Sequence, residues 1–119
     1  MDYVKELSDL VMAKKEEFLS LSDQIWGFAE PRFQEYRSAA LDAEYLKAQG
    51  FRVSVGAADE ETCVIAEYGS GKPVIGILGE FDSLSGLSQQ ADVAGHTPIV
   101  PCGDGHGCGH NLLGSAALA

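Results

Sequence analysis

Positive charge is scarce in this 119-residue chain: 8 Lys and Arg stand against 18 Asp and Glu, a formal net charge of −10. Phosphate backbones and anionic lipid surfaces are bound through clustered cations, so nucleic acid is excluded as a partner and a membrane surface is disfavoured. Long apolar runs are also missing. Nothing approaches the roughly 20 residues that cross a bilayer, and MDYVKELSDLVMAKKEEF lacks the apolar core of a signal peptide. The cytoplasm is the expected compartment. Three cysteines are too few, and odd in number, for a disulfide framework. In a reducing compartment, thiols close to histidines point first to metal binding or reactivity. No internal repeat or low-complexity tract is visible. What is present is ordinary for a folded domain, with 45% hydrophobic and 22% charged residues, enough apolar material for a core.

Along the chain, apolar residues recur mostly three or four apart from Tyr3 through Leu7, Leu10, Phe18, Leu21 and Ile25 to Phe28. This spacing predicts a helix over 3–29, ended by Pro31, which drives the preceding residue away from helical backbone. A second helix is expected over 33–49, with Gly50 placed as a terminating glycine. Residues 51–55 alternate apolar and polar as a half-buried strand does, and 62–68 reads as another strand. Val74-Ile75-Gly76-Ile77-Leu78 is almost continuously apolar, so 73–81 is expected to be a strand covered on both faces. Helices followed by strands and a doubly covered strand indicate an α/β layered architecture. Helical character returns at Asn111, a suitable helix-capping residue. It runs to Ala119 with no stop signal, so the chain is expected to be the N-terminal part of something longer.

Residues 79–110 differ in kind. They hold seven glycines, two prolines, all three histidines and two of the three cysteines. A stretch of this length without periodicity is usually functional. Glu80 and Asp82 follow the apolar run, and ligands in open α/β sheets bind beyond the carboxyl ends of strands. The loop 102–110 reads Cys102-Gly-Asp-Gly-His106-Gly-Cys108-Gly-His110. Thiolate and imidazole are preferred ligands of zinc and suit several other ions. The intervening glycines let the backbone turn sharply enough for close-spaced ligands to converge. From the residues alone, three readings stay open: a closed structural site using Cys102, His106, Cys108 and His110, a nucleophilic cysteine with a neighbouring histidine as base, or an open catalytic site completed from elsewhere.

The combination of GILGEFDSLSGLSQ with GHGCGHNLLGSAALA resembles the aminoacylase/carboxypeptidase-like metal-dependent amidohydrolases. Within them it is most similar to the p-aminobenzoyl-glutamate hydrolase B-subunit branch. The segment IWGFAEPRFQEYRSAALDAEYLKAQGF resembles that branch's N-terminal helices. The resemblance implies a three-layer α/β/α zinc-exopeptidase-like catalytic domain, of which residues 1–119 would be the N-terminal part. It implies a dinuclear site in the complete enzyme, occupied by zinc or manganese, and hydrolysis of the amide bond of N-acyl amino acids or small peptides. Residue by residue, Cys108 and His110 match the metal-binding pair of the Cys-Gly-His motif. Asp82 matches the strand-end aspartate that supports the metal site, and Glu80 stands where many members place a metal-binding histidine. His106 matches a position that is often histidine without being a ligand.

Two departures are Asn111, where many cysteine-branch members have aspartate, and Pro31-Arg32, in a segment usually less restricted. The general base and remaining ligands implied by the resemblance are expected beyond residue 119. The chain alone is therefore expected to be inactive, and either to self-associate or to need a C-terminal part. The alternatives from other classes are a small non-catalytic Cys/His metal-binding module and a folded domain that acts through protein contacts.

Overall fold

The computed structural model describes residues 2–119 and shows a mixed helix and strand architecture. Four helices, α1 (Tyr3–Ala13), α2 (Lys15–Phe28), α3 (Tyr36–Ala48) and α4 (His110–Leu118), accompany two strands, β1 (Arg52–Val55) and β2 (Val64–Glu67). The strands form an antiparallel hairpin in the register Arg52↔Glu67 to Val55↔Val64. The bond from Gly56 N to Cys63 O closes it. The core is small: Leu21 and Ile25 of α2 and Ala39, Ala43 and Leu46 of α3 are buried. α2 packs against both α3 and α4, and α3 also covers the hairpin.

The helix expected over 3–29 is two helices. Lys14 leaves helical backbone (φ −108°, ψ 13°), and its N–H bonds Val11 O at 3.1 Å. Its ammonium contacts Gln49 and lies over the Tyr45 ring, so the break is anchored on α3. Asp2 caps α1 by accepting from Lys5 N at 3.1 Å, yet no residue of α1 is buried. The helix expected over 33–49 starts three residues later. Pro31 to Gln34 is a turn closed by Gln34 N to Pro31 O, with Phe33 in left-handed backbone. α3 ends as its sequence suggests: Gly50 takes φ +90°, and the bonds Gly50 N to Lys47 O and Phe51 N to Leu46 O form a Schellman motif.

The largest correction concerns 73–81. No strand forms there, and residues 72–81 make no backbone–backbone hydrogen bond. A strand exists only in a ladder, and no neighbouring strand is available among the described residues. The apolar pattern that suggested double coverage is instead exposed, with Val74 at 84% and Leu78 at 97%. The layered sheet implied by the family resemblance is therefore not present among the described residues. No helix among them is long and apolar enough to cross a membrane.

Glu30, buried behind α2, ties the helical half to the irregular half. Its carboxylate accepts from Arg37 N (3.0 Å), Arg37 Nε (2.9 Å), Ser38 N (2.9 Å) and Ser38 Oγ (2.9 Å). It thus satisfies N–H groups in the first turn of α3 that no intrahelical partner can reach. Burial pushes this carboxyl's pKa up, but the bonds from Ser38 and Arg37 outweigh it and hold the group below its ordinary value. The carbonyl of the same residue accepts from Ser83 N at 2.8 Å, which fixes the segment that carries Glu80 and Asp82.

Candidate functional site

The site is assembled by backbone latches between two irregular segments. Leu84 N bonds Gly105 O (2.9 Å), Gly105 N bonds Leu84 O (3.0 Å), and Ser88 N bonds Gly103 O (3.0 Å). Glycine is required where the segments touch. A Cβ on Gly105 would lie 2.2 Å from Leu87 O, and one on Gly114 would lie 2.9 Å from Glu80 O. Real Cβ atoms do not approach so closely, so α4 meets residues 79–81 backbone to backbone. This contact sets the N-terminus of α4 beside the two acidic side chains.

His110 is the first residue of α4, preceded by Gly109 in left-handed backbone (φ +79°). Asn111, expected as the cap, is instead inside the helix and buried. Its Nδ2 donates to Ser22 Oγ (3.0 Å) and Ser22 O (3.4 Å), fastening α4 to α2. The His110 ring sits between two carboxylates: Nδ1 is 2.8 Å from Asp82 Oδ1 and 3.0 Å from Asp82 O, and Nε2 is 3.1 Å from Glu80 Oε2. Both acceptors around Nδ1 require a proton there. That places the neutral ring's lone pair on Nε2, facing a carboxylate oxygen. Two electron-rich atoms at this distance need a positive species between them, a proton or a metal ion. Carboxylate and imidazole donors suit a divalent cation. Donor atoms of Glu80, Asp82 and His110 all lie within 4.8 Å of one another, so the residues present fit such an ion.

Of the residues singled out from sequence, Asp82 and His110 are brought together. Glu80, noted only for its position, completes the three-donor group. Cys108 is exposed and outside that group, as is Cys102. His106 is turned away from it: Nε2 donates to Ile25 O at 3.0 Å, and Nδ1 is buried without a partner. Burial lowers the His106 pKa, with the nearby His110 adding to the effect, while the bond to Ile25 opposes it. The neutral ring is a structural link from the glycine loop to α2. A cleft of about 520 Å³ lies beside it, walled by Trp26, Phe28, Leu87, Gln89 and Val100, but none of the three donors lines it.

Neither a family model nor a solved structure matches the chain. Among curated proteins, the B-subunit of p-aminobenzoyl-glutamate hydrolase from Escherichia coli (strain K12) is 46% identical over 113 residues, 95% of this chain. The chain spans 24% of that relative's length. A match of this extent takes in the helices, the hairpin and the glycine loop alike, so over nearly its whole length the chain is similar to a segment of that hydrolase subunit.

Proposed function

We propose that this chain supplies the first part of the catalytic domain of a metal-dependent amidohydrolase acting on N-acyl amino acids or small peptides of the p-aminobenzoyl-glutamate kind. The observation that carries this reading is the His110 ring held between Asp82 and Glu80 at the start of α4. The relative's name supports the substrate class. In this reading His110 and Glu80 hold a divalent ion, zinc or manganese, with Cys108 joining them as the family motif implies. Such an ion, one of a pair in the complete enzyme, would polarise the amide carbonyl and acidify a water. Asp82 keeps the proton on His110 Nδ1 and so keeps Nε2 available, the usual work of a carboxylate behind a ligating histidine. No further base stands in the three-donor group, so the reading makes the isolated chain inactive. It also assigns residues 73–81 to the interior of a three-layer α/β/α fold once the remainder of a family-length polypeptide is present.

Calorimetric titration of zinc and of manganese into the chain tests the site. Weak binding is expected, abolished in His110→Ala, weakened about 10–100-fold in Asp82→Asn, reduced in Cys108→Ala and unchanged in Cys102→Ala. Tight binding of one ion that depends on Cys102, with unfolding on chelation, would replace this reading with a closed structural site. Hydrolysis of p-aminobenzoyl-glutamate by the chain alone would contradict its inactivity.

A further inference from the structure

We propose that His106 and Asn111 are positioning residues, a two-point clamp by which α2 fixes the turn that carries Cys108 and His110. The proposal rests on the reading of His110, Glu80 and Cys108 as ion holders given above. Both anchors lie inside the chain: His106, Asn111 and their partners on α2, Ile25 and Ser22, are all buried. His106 Nε2 donates to Ile25 O at 3.0 Å. Asn111 Nδ2 donates to Ser22 Oγ at 3.0 Å and to Ser22 O at 3.4 Å. Ser22 and Ile25 are three residues apart and share one face of α2. Between the two anchors the chain makes a β-turn, closed by Gly109 N to His106 O at 2.9 Å, with Cys108 at its third position. α4 then begins with His110.

Directional bonds do here what packing cannot. Burial of apolar surface is non-directional, whereas a hydrogen bond weakens steeply as it bends. Successive residues of an α-helix point roughly 100° apart, so holding the Asn111 amide against Ser22 also sets the direction of the His110 side chain. That direction matters, because Nε2 of His110 stands 3.1 Å from Glu80 Oε2 and Nδ1 stands 2.8 Å from Asp82 Oδ1. α2 itself has no need of the bond from His106, since Ile25 O already accepts from Ala29 N at 3.2 Å. The ring is also left with Nδ1 buried and unpartnered, which costs free energy. An apolar side chain would therefore serve plain packing better at this position. On its other side the turn is fenced, because a Cβ on Gly107 would lie 3.1 Å from Leu87 Cβ. With both ends held, the torsions of Gly107 and Gly109 are the ones left to swing Cys108 toward the donor group.

Calorimetric zinc titration, at a temperature where circular dichroism shows the wild-type helical signal in each variant, tests the proposal. His106→Phe and Asn111→Leu should each weaken binding about tenfold. His106→Gln, whose amide reaches the Nε2 position, should bind almost as the wild type does. Leu46→Ala, a truncation of a buried residue of α3, should lower the denaturation midpoint and leave the affinity unchanged, which separates loss of stability from loss of placement. The metal-free chain gives a second readout. Nitrogen-15 spectra above the imidazole titration range should show His110 as the single Nδ1–H tautomer in the wild type and as a mixture in His106→Phe and Asn111→Leu. Zinc binding abolished by His110→Ala yet unchanged in those two variants would overturn the clamp and leave the ion site standing. Absence of zinc binding by the wild type would overturn the ion site, and the tautomers then decide the clamp: a single Nδ1–H form in both variants overturns it. If Asn111→Leu does not fold, Asn111→Asp, which keeps the shape and removes the donor, decides in its place. If His106→Phe does not fold, His106→Asn is compared with His106→Gln, since only the glutamine carries its amide out to the Nε2 position; equal affinities overturn the clamp.

Discussion

The two halves of this molecule are held by different physics. From α2 to β2, order comes from side chains: Ile25, Leu21 and Leu46 are buried, and α3 is capped at both ends by specific bonds. From residue 79 to 110, almost no regular structure exists, and order comes from backbone latches at glycines that tolerate no Cβ. The first kind of order is redundant, because several residues share the burial. The second is serial, because each latch sets the position of the next. A site built in the second way is placed accurately only while every link holds, and it takes its rigidity from the half beneath it.

The largest loss of order in both halves is expected from Ile25→Ala. Ile25 is fully buried, and its carbonyl also holds His106. A loss of about 2–5 kcal/mol is expected from the cavity, with both halves melting together in a denaturant titration followed by circular dichroism. Next in size is the effect of pH through Asp42. This residue of α3 is buried with Oδ1 unpartnered, and burial pushes its carboxyl up to about 7. The folded state therefore retains a proton that the unfolded chain releases. The stabilisation is full below the unfolded value of 3.8 and is lost as pH rises through about 7. At about 1.4 kcal/mol per pKa unit, the loss is on the order of 4 kcal/mol. Asp42→Asn should flatten the slope of stability between roughly pH 4 and 7, measured by denaturation midpoints. A slope unchanged in the variant would show that the titrating group lies elsewhere. The smallest expected effect is the most selective. Gly105→Ala should cost about 1–3 kcal/mol by overpacking and should raise amide exchange in 84–110 while leaving α3 and the hairpin protected. Equal loosening of both halves would erase the distinction drawn between them.

The parts legible in the sequence are those decided by near neighbours. The periodicity around Leu21 and Ile25, the Gly50 terminator and the alternation in β1 each depend on residues within a turn or a pair. The break at Lys14 is not legible, because it is set by Gln49 and Tyr45, over thirty residues away. A strand over 73–81 follows from a pattern that is correct only inside a sheet, and a sheet is a property of partners. Asn111 suits a cap by its residue type, whereas the contact with Ser22 holds it one residue inside the helix. At the site, Asp82 and His110 are identifiable through motif resemblance. The closeness of Glu80 to Nε2 follows from Gly114 lying against the Glu80 carbonyl, and the small residues of α4 are the signal for it.

Glu30 reaches past the helix it caps. Its carboxylate clasps the start of α3 and its carbonyl clasps Ser83, one residue beyond Asp82. A single set of torsion angles therefore relates the tilt of that helix to the height of the aspartate over the imidazole. The residue acts as a lever arm, and anything that rocks α3 is geared directly to the donor group.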